Sequence, residues 1–225
     1  IDQSKIIEIQ DRETLSLGDK TLEFIFAPWV HWPDTMFTYI KEDQILFSCD
    51  FLGAHLAWDN LIVKNRDQIY EPAKRYFAEI MMPFRAQIRK YLDIINGMDV
   101  KIIAPSHGPV YFNPEIILDA YGNWSSDQTK NEVTIAYASM YGSTKMMIEY
   151  LAEKLKKSGI SVNIFDVIEA DTGDIAMSLV DATTVILASP FVLAGAHPAI
   201  VYTSYLVNAL RPKTKFISII ASYGW

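Results

Sequence analysis

Over the first fifty residues, apolar side chains alternate with polar ones at a period near two, the spacing of strands with one face buried. Residues 5–10 (KIIEIQ) and 21–28 (TLEFIFAP) read as strands flanking the turn-forming LGDK of residues 17–20. Residues 37–40 and 45–48 read as a hairpin across the polar KEDQ. The period then lengthens. Tyr76, Phe77, Ile80, Phe84, Ile88, Tyr91, Leu92 and Ile95 recur every three or four positions, which predicts an amphipathic helix broken at Pro83, where a backbone N–H is missing. A short strand within VKIIAPSHG follows, and the next helix begins with Asn113 as N-cap and Pro114 in its first turn.

The polar stretch SSDQTKNE, residues 125–132, divides the chain, because few apolar contacts could cross it. It separates a first domain, residues 1–128, from a second, residues 132–225. Beyond it, residues 133–167 read as strand, loop, helix, a stop at Gly159, and strand, one βαβ unit. DATTVILASP and KTKFISIIAS add two buried strands, with HPAIVYTSYLVNAL as the helix between them. The fold class is α/β, with a doubly wound parallel sheet in the second half.

Composition narrows the function. The 225 residues are 50% hydrophobic with a net charge of -7, and no basic stripe is present, which argues against a nucleic-acid partner. A lone cysteine, Cys49, excludes a disulfide framework or thiolate cage; it reads as a small buried side chain in a reducing, cytoplasmic setting. No apolar run approaches bilayer length, so no membrane segment is expected.

Parallel sheets bind ligands beyond the carboxyl ends of their strands. Three loops leave such ends in the second half. The first, Ser139, Met140, Tyr141, Gly142, Ser143 and Thr144, is rich in hydroxyls and enters a helix N-terminus, where free N–H groups favour an anion. It has neither the lysine of a triphosphate loop nor G-x-G-x-x-G, so it suits a single terminal phosphate or is an ordinary capped helix. The second is Pro190, Phe191, Val192, Leu193, Ala194 and Gly195. The third, Ser222, Tyr223, Gly224 and Trp225, offers aromatic faces for a flat ring. Together these segments resemble the FMN phosphate loop and the two ring-flanking loops of the flavodoxin family. The second loop carries PFVLAG where related flavoproteins often have Thr and Asn.

In the first half, His31 lies between Trp29 and Trp32, Asp50 ends an apolar strand, and His107 ends another in a loop held by proline and glycine. Two imidazoles and a carboxylate suit zinc or non-haem iron, and a carboxylate can bridge two metals. Their order and spacing resemble the C-terminal part of the metallo-β-lactamase-like αββα domain. Joined to a truncated flavodoxin-like sheet, HWPDTMFTY, LFSCDFLGAH and SMYGST resemble the flavodiiron proteins (A-type flavoproteins). The resemblance implies that His31 and His107 are iron ligands, that Asp50 bridges, and that the tryptophans keep the pocket apolar. His55 resembles a pocket residue of that family, or is a surface or capping histidine. Tyr76 supplies a pocket hydroxyl or is plain core. His197, before Pro198, reads as a helix start. The family's upstream H-x-E-x-D-H cluster is absent from these residues, as are the fifth flavodoxin strand and last helix, so the sequence is expected to be an internal piece of a longer chain.

What the resemblance implies is an oxidoreductase in which FMN passes electrons to two non-haem Fe ions that reduce O2 to water or NO to N2O. Its donor would be a rubredoxin-like protein or a reduced deazaflavin, and its assembly a head-to-tail homodimer. Two alternatives stand beside it: a metallo-β-lactamase-type zinc hydrolase, and an FMN electron carrier whose first domain is a docking scaffold.

Overall fold

The computed structural model describes residues 3–57, 60–63 and 65–223. The chain forms two compact units, one of Ile1–Phe77 with Phe84–Ser125, the other of Ala78–Pro83 with Ser126–Trp225.

The first unit is built on strands β1 (Thr14–Ser16), β2 (Thr21–Phe26), β3 (Met36–Ile40), β4 (Ile45–Phe47), β5 (Ile62–Val63), β6 (Ile102–Ala104) and β7 (Val110–Tyr111). Their order in the sheet is β1-β2-β3-β4-β6-β7-β5. The hairpin across residues 41–44 forms, with Ile40 opposite Ile45. Residues 6–10 do not form a strand. Ile6 and Ile7 are exposed, and the partner of β2 is β1, joined through a turn in which Leu17 N–H donates to the Lys20 carbonyl. Alternation alone marked residues 5–10, but among the described residues no strand pairs with them.

Helices α1 (Tyr70–Tyr76), α2 (Arg85–Asn96) and α3 (Glu115–Ser125) complete the first unit. Between α1 and α2 the chain passes through a π turn, Phe77–Met81, and a 3-10 turn, Met82–Phe84, that contains Pro83. The expected break is therefore spread over two turns of altered pitch. Phe37, Leu46 and Ile103 on the sheet, Ile88, Tyr91 and Ile95 on α2, and Ile117, Tyr121 and Trp124 on α3 are buried. Phe51 stacks on Phe37 and meets Tyr121 edge-on, which ties sheet to helix.

Strand direction positions the site. β2 and β3 are antiparallel, as are β3 and β4, so β2 runs the same way as β4; β6 is parallel to β4. The carboxyl ends of β2, β4 and β6 therefore open on one edge, and the segments that leave them carry His31, Asp50 and His107.

The second unit contains β8 (Lys130–Tyr137), α4 (Ser143–Lys157), β9 (Ser161–Asp166), α5 (Thr172–Leu179), β10 (Ala182–Val192), β11 (Gly195–Ala196), α6 (Pro198–Leu210) and β12 (Phe216–Ser222). Parallel strands lie in the order β9-β8-β10-β12. Val133, Ile135 and Tyr137 of β8 and Ile186 and Ala188 of β10 pack against Ile148 and Ala152 of α4. The sequence reading missed α5, which the Asp171 carboxylate caps by accepting from Gly173 N–H. It also placed residues 190–195 in an open loop. Instead β10 continues to Val192 and folds back on β11 across Leu193 and Ala194, both at positive φ, the backbone a tight two-residue hairpin requires.

Candidate functional site

At the strand-end edge of the first unit, the Asp50 carboxylate faces two imidazoles. His31 Nε2 lies 3.4 Å from Oδ2 and His107 Nε2 lies 3.5 Å from Oδ1. Each oxygen thus serves a different ring. His31 reaches this point through a turn after β2 in which Trp29 N–H donates to the Trp32 carbonyl and the Thr35 hydroxyl bonds the same carbonyl. Trp29 and Trp32 are 51% and 60% exposed in this chain.

Asp50 and His107 are fixed to one another by their backbones. Ser106 N–H donates to the Cys49 carbonyl, and Ala54 N–H donates to the His107 carbonyl. Cys49, expected as a small buried side chain, is half-buried at φ 53°. Gly53 and Gly108 allow the approach. A Cβ on Gly53 would lie 3.1 Å from the carbonyl oxygens of Asp50 and His107; one on Gly108, at φ +88°, would lie 2.9 Å from the Ala54 carbonyl.

The Tyr76 hydroxyl donates to the Asp50 backbone carbonyl at 3.0 Å, and burial pushes its pKa up, with the Asp50 charge adding to the effect. It braces the Asp50 turn. His55 is exposed, its ring edge-on to Tyr76 at 4.7 Å and to His107 at 5.6 Å. The site-forming residues that the sequence did not mark are Gly53 and Tyr121, whose hydroxyl donates to the Gly53 carbonyl at 3.5 Å. Gly108 is the glycine of the loop expected to hold His107.

The donor set fits a metal. Two ligand atoms each about 2.1 Å from one ion stand roughly 3.0–3.4 Å apart, close to the spacing of each imidazole–carboxylate pair. Among the described residues no three His, Cys, Asp or Glu side chains converge on a single ion. The geometry is two imidazole–carboxylate pairs sharing Asp50.

In the second unit, β8, β10 and β12 are parallel, so their carboxyl ends also share an edge. Thr144 Oγ1 and Ser222 Oγ are 2.9 Å apart, and the rings of Phe191 and Tyr223 are 6.4 Å apart, which brings the three expected segments together. Ser139 Oγ accepts from Gly142 and Lys145 N–H. Gly142, at φ +86°, starts α4 with no side-chain cap and with open space where a Cβ would stand. Tyr141 is exposed and Met140 partly so. This cradle suits a phosphate, with Ser139 and the α4 N-terminus as donors. Leu193, at the hairpin tip, is 93% exposed. Gly224 and Trp225 lie outside the described residues. His197 caps α6, its Nδ1 accepting from Ala199 N–H.

A metallo-β-lactamase-like sheet with a His–Asp–His edge, followed in the chain by a flavodoxin-like sheet, defines a two-part class of protein. Residues 1–108 match the family model described as ODP family beta lactamase. A nitric oxide reductase of Moorella thermoacetica is 36% identical over 220 residues, which is 94% of this chain and 54% of that protein. The structure of rubredoxin oxygen:oxidoreductase from Desulfovibrio gigas superposes with a TM-score of 0.92 at 27% identity, over 96% of this chain and 56% of the other. The flavodiiron protein from Giardia intestinalis does so with 0.92 at 29%, over 97% and 55%. The chain is similar to flavodiiron proteins along nearly all of its length, and it spans about half the length of the relatives it matches.

Proposed function

We propose that this chain carries part of an oxidoreductase that takes electrons from FMN to non-haem iron and reduces O2 to water or NO to N2O. The observation that supports the reading is the Asp50 carboxylate, which presents one oxygen to His31 and the other to His107. In this reading those three side chains hold the iron pair, with further ligands supplied by groups beyond them. The 139–144 cradle holds the FMN phosphate, and Phe191 and Tyr223 flank its ring. When bound, iron offers open coordination positions to a diatomic gas, and FMN turns two-electron input into single-electron steps.

The protein's own part is positioning and proton supply. Asp50 would offset the charge of bound iron, while the Tyr76 hydroxyl and the Ser106 N–H bond to the Cys49 carbonyl hold its turn. His55, beside His107 and reachable by solvent, is the group able to hold or pass a proton at the site. A small redox protein as electron donor, a head-to-tail pair of chains and a cytoplasmic location belong to the same proposal. No helix among the described residues is long and apolar enough to cross a membrane.

Anaerobic loading with Fe(II) and FMN tests the reading. Both are expected to bind, and Asp50→Ala should lose iron and gas consumption while keeping FMN. A colourless zinc protein would support the hydrolase instead, and FMN binding with no metal would support the electron carrier.

A further inference from the structure

In the β10–β11 hairpin, which carries Phe191, Val192 pairs with Gly195 and Phe191 with Ala196. Bonded and non-bonded pairs alternate away from a two-residue tip, so the next pair, Pro190 with His197, falls where the two sides should be hydrogen-bonded. Proline has no N–H to give. The Ser189 hydroxyl stands in that position: it accepts from His197 N–H at 2.8 Å and donates to the Pro190 carbonyl at 2.8 Å. Ser189 is buried. Because β11 ends at Ala196 and Pro198 opens α6, this bridge closes the hairpin where regular pairing stops.

The tip is poorly able to hold itself. Leu193 and Ala194 sit at φ 48° and 64°, a region unfavourable for residues with a Cβ, and only two residue pairs join β10 to β11. The Ser189 bridge ties the hairpin to firmer structure on both sides. Pro190 is paired with Ser222 of β12, the residue before Tyr223. His197 begins α6, where its Nδ1 accepts from Ala199 N–H. A continuous run of bonds therefore links the first turn of α6 to the residue directly before Phe191, whose ring stands 6.4 Å from that of Tyr223 at 62°. None of these bonds uses Ser139 or the N–H groups of Gly142 and Lys145, which belong to the phosphate cradle.

We propose that Ser189 is a positioning residue of the flavin site, which sets the ring side by fixing Phe191 relative to Tyr223 while residues 139–144 set the phosphate side. The inference rests on the FMN reading above. Residues 190–195 carry no polar side chain, so this flank can meet a flavin ring only through apolar faces and backbone groups, and their strength depends on placement. A hairpin fixed before the ligand arrives also loses less freedom on binding. Without the hydroxyl, either His197 N–H and the Pro190 carbonyl lose their partner, or the two sides close on each other and carry Phe191 with them. Both outcomes displace the ring flank, and neither touches the phosphate donors. Groups that share no partner contribute independently, so the loss falls on the ring alone.

The test titrates the 225-residue protein with FMN and with riboflavin, which keeps the ring and lacks the phosphate. Ser189→Ala should weaken both by the same factor, about fivefold for one lost hydrogen bond. It should also brighten the bound flavin at saturation, because an aromatic ring held against isoalloxazine quenches its emission. Ser139→Ala should weaken FMN and leave riboflavin unchanged. Ser189→Thr keeps the hydroxyl, and the apolar groove that Ser189 lines with Leu187, Ile200 and Ile219 takes the added methyl, so it should bind both flavins as the unmodified protein does. Circular dichroism confirms folding. If Ser189→Ala does not fold, amide exchange of the unmodified protein decides, with His197 N–H expected to exchange many-fold more slowly than Leu193 and Ala194 at the tip. Unchanged binding in Ser189→Ala, weakening of FMN alone, equal weakening in Ser189→Thr, FMN binding with none of riboflavin, or an unprotected His197 N–H overturns the role of Ser189 and leaves the FMN reading standing. Failure of the unmodified protein to bind either flavin overturns the FMN reading, and this role with it.

Discussion

Replacing Gly108 by alanine isolates the close approach that sets His107 against Asp50. Gly108 has φ +88°, and a Cβ there would lie 2.9 Å from the Ala54 carbonyl oxygen, 3.1 Å from its nitrogen and 3.2 Å from its Cβ. Two costs follow. Holding an L-residue in the left-handed region costs about 1–2 kcal/mol. Forcing a methyl group into occupied backbone space costs about 1–3 kcal/mol more. Gly18 supplies the control, because its φ is +99° but nothing lies within 4 Å of an added Cβ. Gly18→Ala should therefore show only the first cost. Urea unfolding followed by circular dichroism should place Gly108→Ala below Gly18→Ala by roughly 1–3 kcal/mol, with the slope of the transition unchanged. Fe(II) affinity should fall in Gly108→Ala alone, since the Ala54 N–H bond to the His107 carbonyl must stretch from its 3.1 Å. Equal stabilities for the two variants would refute the argument that the two loops are locked by contact.

The Tyr111 hydroxyl is buried with no hydrogen-bond partner among the described residues, so Tyr111→Phe should leave stability unchanged or raise it by about 1–3 kcal/mol; a clear loss in urea unfolding would contradict this. Burial raises the pKa of Tyr76, Tyr111 and Tyr121. Because the unfolded chain gives up these protons near pH 10 while the folded one retains them, their contribution is complete below about pH 10 and declines as pH rises further. The urea midpoint should fall between about pH 9 and about pH 11, and a flat profile would count against it. Thr144→Val removes the buried hydroxyl 2.9 Å from Ser222. An expected loss near 1 kcal/mol corresponds to roughly fivefold weaker FMN binding by fluorescence titration; unchanged binding would show that this bond does not organise the cradle.

Much of the site was legible because its residues close strands. His31, Asp50 and His107 each follow an apolar run, and a parallel or twice-reversed strand order must bring such ends to one edge. The hairpin across residues 41–44 and the βαβ unit were legible for a similar reason, since period and turn chemistry agreed. Residues 5–10 misled because alternation describes a face and says nothing of whether another strand pairs with the segment. Helix α5 escaped because TGDIAMSL is short and its signal was chiefly the Asp171 cap. The fold-back at Leu193 and Ala194 was hidden because both must adopt positive φ without glycine or asparagine to announce it. The Gly53 and Gly108 contacts, and the Thr144–Ser222 bond, join residues far apart in sequence, so no local pattern could carry them.

The most direct measurement is equilibrium Fe(II) binding under anaerobic conditions, comparing the unmodified protein with Asp50→Asn, a substitution that keeps the side chain's shape and removes its charge. The account predicts iron retained by the first and lost from the second, with identical circular dichroism spectra. Equal retention by both proteins, or none by either, would contradict it.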